Sequence, residues 1–309
     1  MAQAQYAKMD LAGRLFIGLL RFFSWFSFPV NHKLGTGIGY FLWWLPEALS
    51  NPKRVTRLNL EVAYPDLSRD EIQTRVKQHM IELGKTASEL GPLWLWDKPK
   101  VLSLVKQVTG QQVLDEAIAK QKGVIMICPH LGSWELVGPY LTEHYQTTYL
   151  YEPPNLASIE KFIVDVRGRM GAKLAPTDRS GVMKLIKALK RNEVIGILPD
   201  QDPGEVGSVY APFYGHPART MTLVAKLAAK TDCELVYISA QRLPNGEGFH
   251  IHILPADKRA LTQTDELAAT TALNAGIADL IETVSTPQYH WNYKRYRHPP
   301  EGVKDLYKK

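Results

Sequence analysis

The stretch Gly123-Val124-Ile125-Met126-Ile127-Cys128-Pro129-His130-Leu131-Gly132-Ser133-Trp134-Glu135 decides the fold class. Its first half is an unbroken apolar run, as expected of a strand buried on both faces. Pro129 cannot continue a central ladder. Gly132-Ser133 are helix-start residues, and 134–144 reads as a helix. A buried strand therefore passes through a short loop into a helix. His130 falls in that loop and Glu135 on the first turns that follow. Histidine is the side chain whose ordinary pKa lies nearest neutrality, so His130 is a candidate general base. A carboxylate on its far ring nitrogen would fix the tautomer and stabilise the imidazolium, and Glu135 is the candidate for that role. Residues five apart on one helix point about 140° from each other, so the two side chains meet only if His130 precedes the helix. The N–H groups of the helix start are candidate oxyanion donors. The plain alternative is a surface histidine with a glutamate that complements the helix dipole.

Outward from this stretch, strand and helix signals alternate. Strands are expected at 147–151, 194–198, 234–241 and 248–254, with 101–108 a strand or short helix. Helices are expected at 113–120, 158–170, 180–191, 220–230 and 264–284. Such alternation predicts an α/β fold with a mostly parallel central sheet flanked by helices. Sites in such sheets lie at the carboxyl ends of strands, and His130, Glu152 and Asp200 all follow one. Upstream, 51–67 reads as a polar helix with a turn at Pro65-Asp66. Ser68-Arg69-Asp70-Glu71 has the capping-box pattern and opens a helix that Gly91-Pro92 should end.

The chain has 309 residues, 45% hydrophobic and 22% charged, which excludes a disordered protein and allows a large core. A net charge of +6 and a pI near 9.1 suit an anionic partner. Cys128 and Cys233 each lie in or beside an apolar run, which favours buried free thiols over a disulfide. No Cys/His cluster has zinc spacing.

The segment 11–30 (LAGRLFIGLLRFFSWFSFPV) is close to the roughly 20 residues that span a bilayer. No small-residue cleavage site follows, so a cleaved signal peptide is not expected. Arg14 and Arg21 share one helix face amid Phe and Trp, which predicts an N-terminal hydrophobic membrane helix, interfacial or tilted. Residues 34–49 continue this character with glycines, Trp43 and Trp44. The expected organisation is therefore a membrane-anchoring or interfacial segment, 1–50, and a second unit, 51–309.

Other runs carry chemistry less sharply. Ile195 to Gly204 delivers Asp200-Gln201-Asp202 into a loop; turn formation explains it without a metal. Phe213-Tyr214-Gly215-His216-Pro217-Ala218-Arg219-Thr220 reads as an aromatic loop entering a helix at about Thr220, with Arg219 a substrate-binding candidate. Arg167 and Arg169 flank Gly168 and suit phosphate or carboxylate binding. The closing run Gln288-Tyr289-His290-Trp291-Asn292-Tyr293-Lys294-Arg295-Tyr296-Arg297-His298 interleaves aromatics with bases, as in a nucleic-acid or interfacial strip. A Gly-x-Ser-x-Gly elbow and the Walker and Rossmann glycine patterns are absent.

In order along the chain, these runs resemble the late acyltransferases of lipid A biosynthesis in Gram-negative bacteria, within the wider glycerol-phosphate and lysophospholipid acyltransferase superfamily. The resemblance rests on the apolar N-terminus, His130-x4-Glu135, Leu198-Pro199-Asp200-Gln201, the 213–220 run and the Gln/aromatic/basic closing run. The wider superfamily usually has Asp where Glu135 stands. Its Pro-Glu-Gly block is replaced by Pro-Asp-Gln, which argues against a simple glycerol-phosphate acceptor. The resemblance implies transfer of a fatty acyl chain from acyl carrier protein to a hydroxyl of an acylated glucosamine-disaccharide lipid A precursor, at the cytoplasmic face of the bacterial inner membrane. It implies His130 as base with Glu135 as its partner. Arg167, Arg169, Asp200, Gln201 and Arg219 become substrate-binding candidates, and anionic membrane lipid a partner. No metal, cofactor or nucleic acid is implied. Rival readings are an acyl-CoA-dependent phospholipid or glycolipid acyltransferase, and a non-enzymatic membrane lipid- or nucleic-acid-binding protein.

Overall fold

The computed structural model describes residues 10–152 and 157–308. Four helices come first: α1 (Leu11–Ser24), α2 (Phe28–Trp44), α3 (Asn51–Ala63) and α4 (Arg69–Leu95). An α/β unit follows: α5 (Lys98–Leu102), β1 (Val105–Thr109), α6 (Gln111–Ala119), β2 (Val124–Ile127), α7 (Trp134–His144), β3 (Thr147–Tyr151), α8 (Ala157–Arg169), β4 (Lys173–Pro176), α9 (Arg179–Lys190) and β5 (Val194–Ile197). It closes with β6 (Ser208–Phe213), β7 (His216–Met221), α10 (Leu223–Thr231), β8 (Glu234–Arg242), β9 (Phe249–Pro255), α11 (Lys258–Leu261) and α12 (Glu266–Val284).

Seven strands form one sheet in the order β1-β9-β8-β2-β5-β3-β4. Every pair is parallel except β8 with β9. The expected mostly parallel α/β sheet is therefore present. Central β2 and β5 are buried at every position, which is why they read as unbroken apolar runs. Helices cover both faces, and an apolar cluster lies on each side of the sheet.

The N-terminal expectation needs correction. Among the described residues no helix is long and apolar enough to cross a membrane. The apolar run is cut in two, because α1 stops at Ser24 and Pro29 starts a new helix. Asn31, buried, donates to Phe23 O and Ser88 O and folds α2 back onto α1 and α4. Gly13, Ile17, Leu20 and Phe23 form the buried stripe of α1. Leu11, Leu15, Leu19, Phe22 and Trp25 remain exposed beside Arg14 and Arg21.

Three local expectations also fail. Gly91-Pro92 does not end α4, which runs on to Leu95. The 213–220 run is no loop: β6 and β7 form a hairpin whose turn, Tyr214-Gly215, has positive φ at both residues, and the next helix starts at Leu223. The closing aromatic-basic run is no surface strip, since Tyr289, Trp291, Arg295 and Tyr296 are buried. Ser68 and Glu71 do form the reciprocal capping box, and both cysteines are free and buried.

Candidate active site

The strand register builds the site. Ile127 of β2 lies beside Ile197 of β5 in parallel. Three residues past each partner stand His130 and Asp200, after Pro129 and Pro199. Two similar exits from neighbouring strands thus carry a base and an acid to the same carboxyl edge. Asp200 clasps His130 twice: Oδ1 accepts from ring Nδ1 at 2.8 Å, and Oδ2 accepts from the backbone N–H at 2.8 Å. A carboxylate only accepts, so Nδ1 carries a proton, and whenever the ring is neutral the basic lone pair is on Nε2. Asp200 is 2% exposed. Burial alone would raise its carboxyl, but His130's charge and both hydrogen bonds outweigh it and hold the pKa below the usual aspartate value.

Glu135 does not take the expected role on His130. It sits in the first turn of α7, as anticipated, but its oxygens face elsewhere. Oε1 accepts from Arg167 at 2.6 Å and Oε2 from the Trp94 indole at 3.1 Å. The Glu135 charge raises the Arg167 pKa against the opposing effect of burial. Just before the helix start, three of the nearby N–H groups are spent. The N–H groups of Leu131, Gly132 and Ser133 donate to Pro129 O, Gln288 O and Ala240 O at 2.7, 3.0 and 2.8 Å.

His130, Trp134, Glu135, Arg167 and Gln201 line one cavity of about 540 Å³, within the range of small-molecule sites. Its walls are otherwise largely apolar, with Leu93, Trp94, Val137, Tyr149, Leu150, Val166 and Met170. A lining that mixes polar groups, Glu152, Thr177 and Asp202 among them, with apolar side chains suits an amphipathic substrate. Cys128 also lines it, but burial pushes its thiol far above neutrality, which leaves no thiolate nucleophile.

The loop of His130 is braced from behind. Gln288 binds the backbone of Arg242 at both N and O, and the His290 N–H donates to His130 O. The Arg242 guanidinium donates to Gly132 O at 2.9 Å and to Glu89 at 2.6 Å, and Glu89 also meets His32 at 2.9 Å. These buried charges tie α2 and α4 to the loop. Sequence reading missed this network, because its bonded members lie 46 to 160 residues apart.

The remaining expected site residues scatter. Gln201 lines the cavity, whereas Arg169 turns back to Trp94 O at 2.5 Å. Arg219 lies on β7, bonds the Tyr210 hydroxyl and approaches Asp202, which reaches the cavity. Among the described residues no group of His, Cys, Asp and Glu could hold a metal ion.

The sequence model of the bacterial lipid A biosynthesis acyltransferase family matches residues 5–298. The chain belongs to this family. It is 26% identical over 295 residues to a lipid A biosynthesis lauroyltransferase of Escherichia coli, covering 94% of this chain and 93% of that protein. It is 28% identical over 293 residues to a lipid A biosynthesis palmitoleoyltransferase of the same organism, covering 94% and 92%. A phosphatidylinositol mannoside acyltransferase of Mycobacterium tuberculosis is 27% identical over 168 residues, about half of each chain. The protein is therefore an acyltransferase of lipid A biosynthesis, as the order of its sequence runs implied.

Proposed function

We propose that His130 is the general base, with Asp200 rather than Glu135 as its direct partner, and that an acyl-carrier-protein thioester is the donor. An alcohol ionises far above neutral pH and attacks a thioester poorly unless its proton leaves as it attacks. His130 Nε2 takes that proton while the hydroxyl oxygen bonds to the thioester carbon. The tetrahedral oxyanion collapses, the C–S bond breaks, and the imidazolium returns the proton to the departing thiolate. Asp200 holds the ring and stabilises the imidazolium. We assign the developing oxyanion to the Arg167 N–H groups not used by Glu135, which makes Glu135 a positioning residue for that cation. The acceptor is a hydroxyl of an acylated glucosamine-disaccharide precursor. The observation that carries this reading is the Asp200 clasp on a histidine that borders a largely apolar cavity.

The enzyme works at the inner membrane in this reading. Trp25 and Trp44 are 78% and 81% exposed, and with Leu11, Leu15, Leu19 and Phe41 they give α1 and α2 an apolar surface edged by Arg14, Arg21 and Lys33. Such a surface lies in the headgroup layer of anionic lipid without spanning it.

Mass spectrometry of lipid A tests the proposal in a strain lacking the protein. Loss of one or more acyl chains is expected, restored by wild type and not by His130→Ala or Asp200→Asn. Full acylation by the His130→Ala protein would sink the mechanism. Unchanged lipid A in the deletion strain, with paralogues also removed, would sink the substrate assignment. Turnover of acyl-CoA but not of acyl carrier protein by the purified enzyme would overturn the donor.

A further inference from the structure

We propose that the exposed face of α9 is the docking surface for the acidic carrier protein that delivers the acyl chain. This rests on the carrier-thioester donor of the preceding section. Helix α9 reads Arg-Ser-Gly-Val-Met-Lys-Leu-Ile-Lys-Ala-Leu-Lys and contains no acid. Gly181, Leu185, Ile186, Ala188 and Leu189 are buried toward the sheet. Arg179, Met183, Lys184, Lys187 and Lys190 are exposed, a stripe at three- and four-residue spacing along one side.

Two features single this stripe out. First, its charge is offset only in part, by the N-cap carboxylate of Asp178 near Lys184. Among the described residues Arg179, Lys184, Lys187 and Lys190 form no ion pair, whereas several lysines elsewhere are paired: Lys98 with Glu143, Lys120 and Lys258 with Glu234, Lys122 with Asp232, and Lys226 with Glu266. Four cations without a direct ion pair, against the one N-cap carboxylate, leave a net local positive potential for an acidic partner. Second, the stripe begins at the cavity. Thr177 and Val182 of this segment line it, together with Val206, which is 94% exposed and marks an opening to solvent. A carrier seated on α9 would hold its pantetheine arm at that opening, with the thioester directed inward.

Membrane lipid is the less fitting occupant. Interfacial helices pair their cations with large apolar residues that enter the acyl layer. That pattern belongs to α1 and α2, whereas Met183, 50% exposed, is the sole large apolar side chain among the exposed residues of α9.

The test is steady-state kinetics with purified acyl carrier protein as donor, on wild type and on the triple variants Lys184→Glu/Lys187→Glu/Lys190→Glu and Lys184→Gln/Lys187→Gln/Lys190→Gln. All three positions are exposed, so both variants should melt like wild type. At low salt the KM for the acyl carrier is expected to rise tenfold or more in the Glu variant and by less in the Gln variant. The kcat should stay within twofold. Added salt should raise the wild-type KM and leave the Glu variant nearly flat, because rim charges act on encounter. An unchanged KM, or a loss confined to kcat, would overturn the docking surface. So would weaker binding of the Glu variant to anionic phospholipid vesicles with the carrier KM intact. A wild-type enzyme that ignores the acyl carrier would overturn the donor reading itself, which is distinguishable because docking can fail only where wild type turns the carrier over.

Discussion

At the scale of single residues, the site turns on which carboxylate touches which cation. Asp200 holds both the ring and the backbone of His130, so it sets the tautomer and the orientation together. Asp200→Asn keeps the volume and can still bond one of these groups, but its amide cannot stabilise an imidazolium and can impose the wrong tautomer. A fall in kcat of about 10²–10⁴-fold with little change in KM is expected, measured with acyl carrier donor and purified acceptor. A wild-type rate would return the partner role to Glu135. The other carboxylate acts through Arg167, since Oε1 is 2.6 Å from its guanidinium. Glu135→Gln should therefore cost about 10²-fold in kcat, the scale of a misplaced oxyanion donor. Asp200→Asn/Glu135→Gln should lose roughly the product of the two, because the pairs serve different charges. If the double variant is no slower than the worse single, the two carboxylates act as one unit.

At the scale of elements, α2 and α4 pack backbone to backbone. A Cβ on Gly84 would sit 2.1 Å from Gly35 O, and one on Gly39 would sit 2.4 Å from the Ile81 Cα. Gly37, between Gly35 and Gly39 in sequence, faces open space. Gly84→Ala should therefore destabilise by about 1–3 kcal/mol through overpacking. Gly37→Ala should stabilise by up to about 1 kcal/mol through helix propensity. Urea melts of both variants check the pair; equal and small effects would mean that α2 does not pack on α4 as described. This interface also shows what sequence reading can reach. Gly35, Gly37 and Gly39 look alike in the chain, and only tertiary contact separates the two that need hydrogen from the one that does not. The parallel sheet was legible because β2 and β5, buried on both faces, must be apolar throughout. The β6–β7 hairpin was not, because its turn uses Tyr214 at φ 48° before Gly215, outside the usual Asn-Gly signal. The His130–Asp200 pair was half legible. Both exits end in apolar run, proline, then ionisable residue, but that two strands are neighbours in register is a fact of topology rather than of local pattern.

At the scale of the whole molecule, histidines with lowered pKa values, His79 buried and His252 and His290 half-buried, make the fold sensitive to mild acid. Burial pushes His290 down to about 3, with the His130 charge adding to the effect, and pushes His252 down to about 4, with His250 adding. Burial also lowers His79, which bonds Pro287 O and Asn292. An unfolded histidine takes up its proton near pH 6.5, so below that pH the unfolded chain binds more protons than the native one. Stability is therefore complete above about pH 6.5 and declines as pH falls toward the lowered native values. The depressed carboxylates contribute separately. Asp200 and Glu89, the latter held to about 2 by Arg242 and His32 against its burial, lose their contribution only below the unfolded carboxylate range near pH 4. Two stages follow, histidines first and carboxylates second. Urea midpoints at pH 7.5, 6.5, 5.5 and 4.5 should fall already between 6.5 and 5.5. His290 should account for up to about 2 kcal/mol at pH 5. His290→Asn, which cannot take up a proton, should be less stable than wild type at pH 7.5 but show a shallower decline. A midpoint that holds constant down to pH 5, or a His290→Asn slope equal to wild type, would mean that these histidines reach solvent and charge freely in the native state.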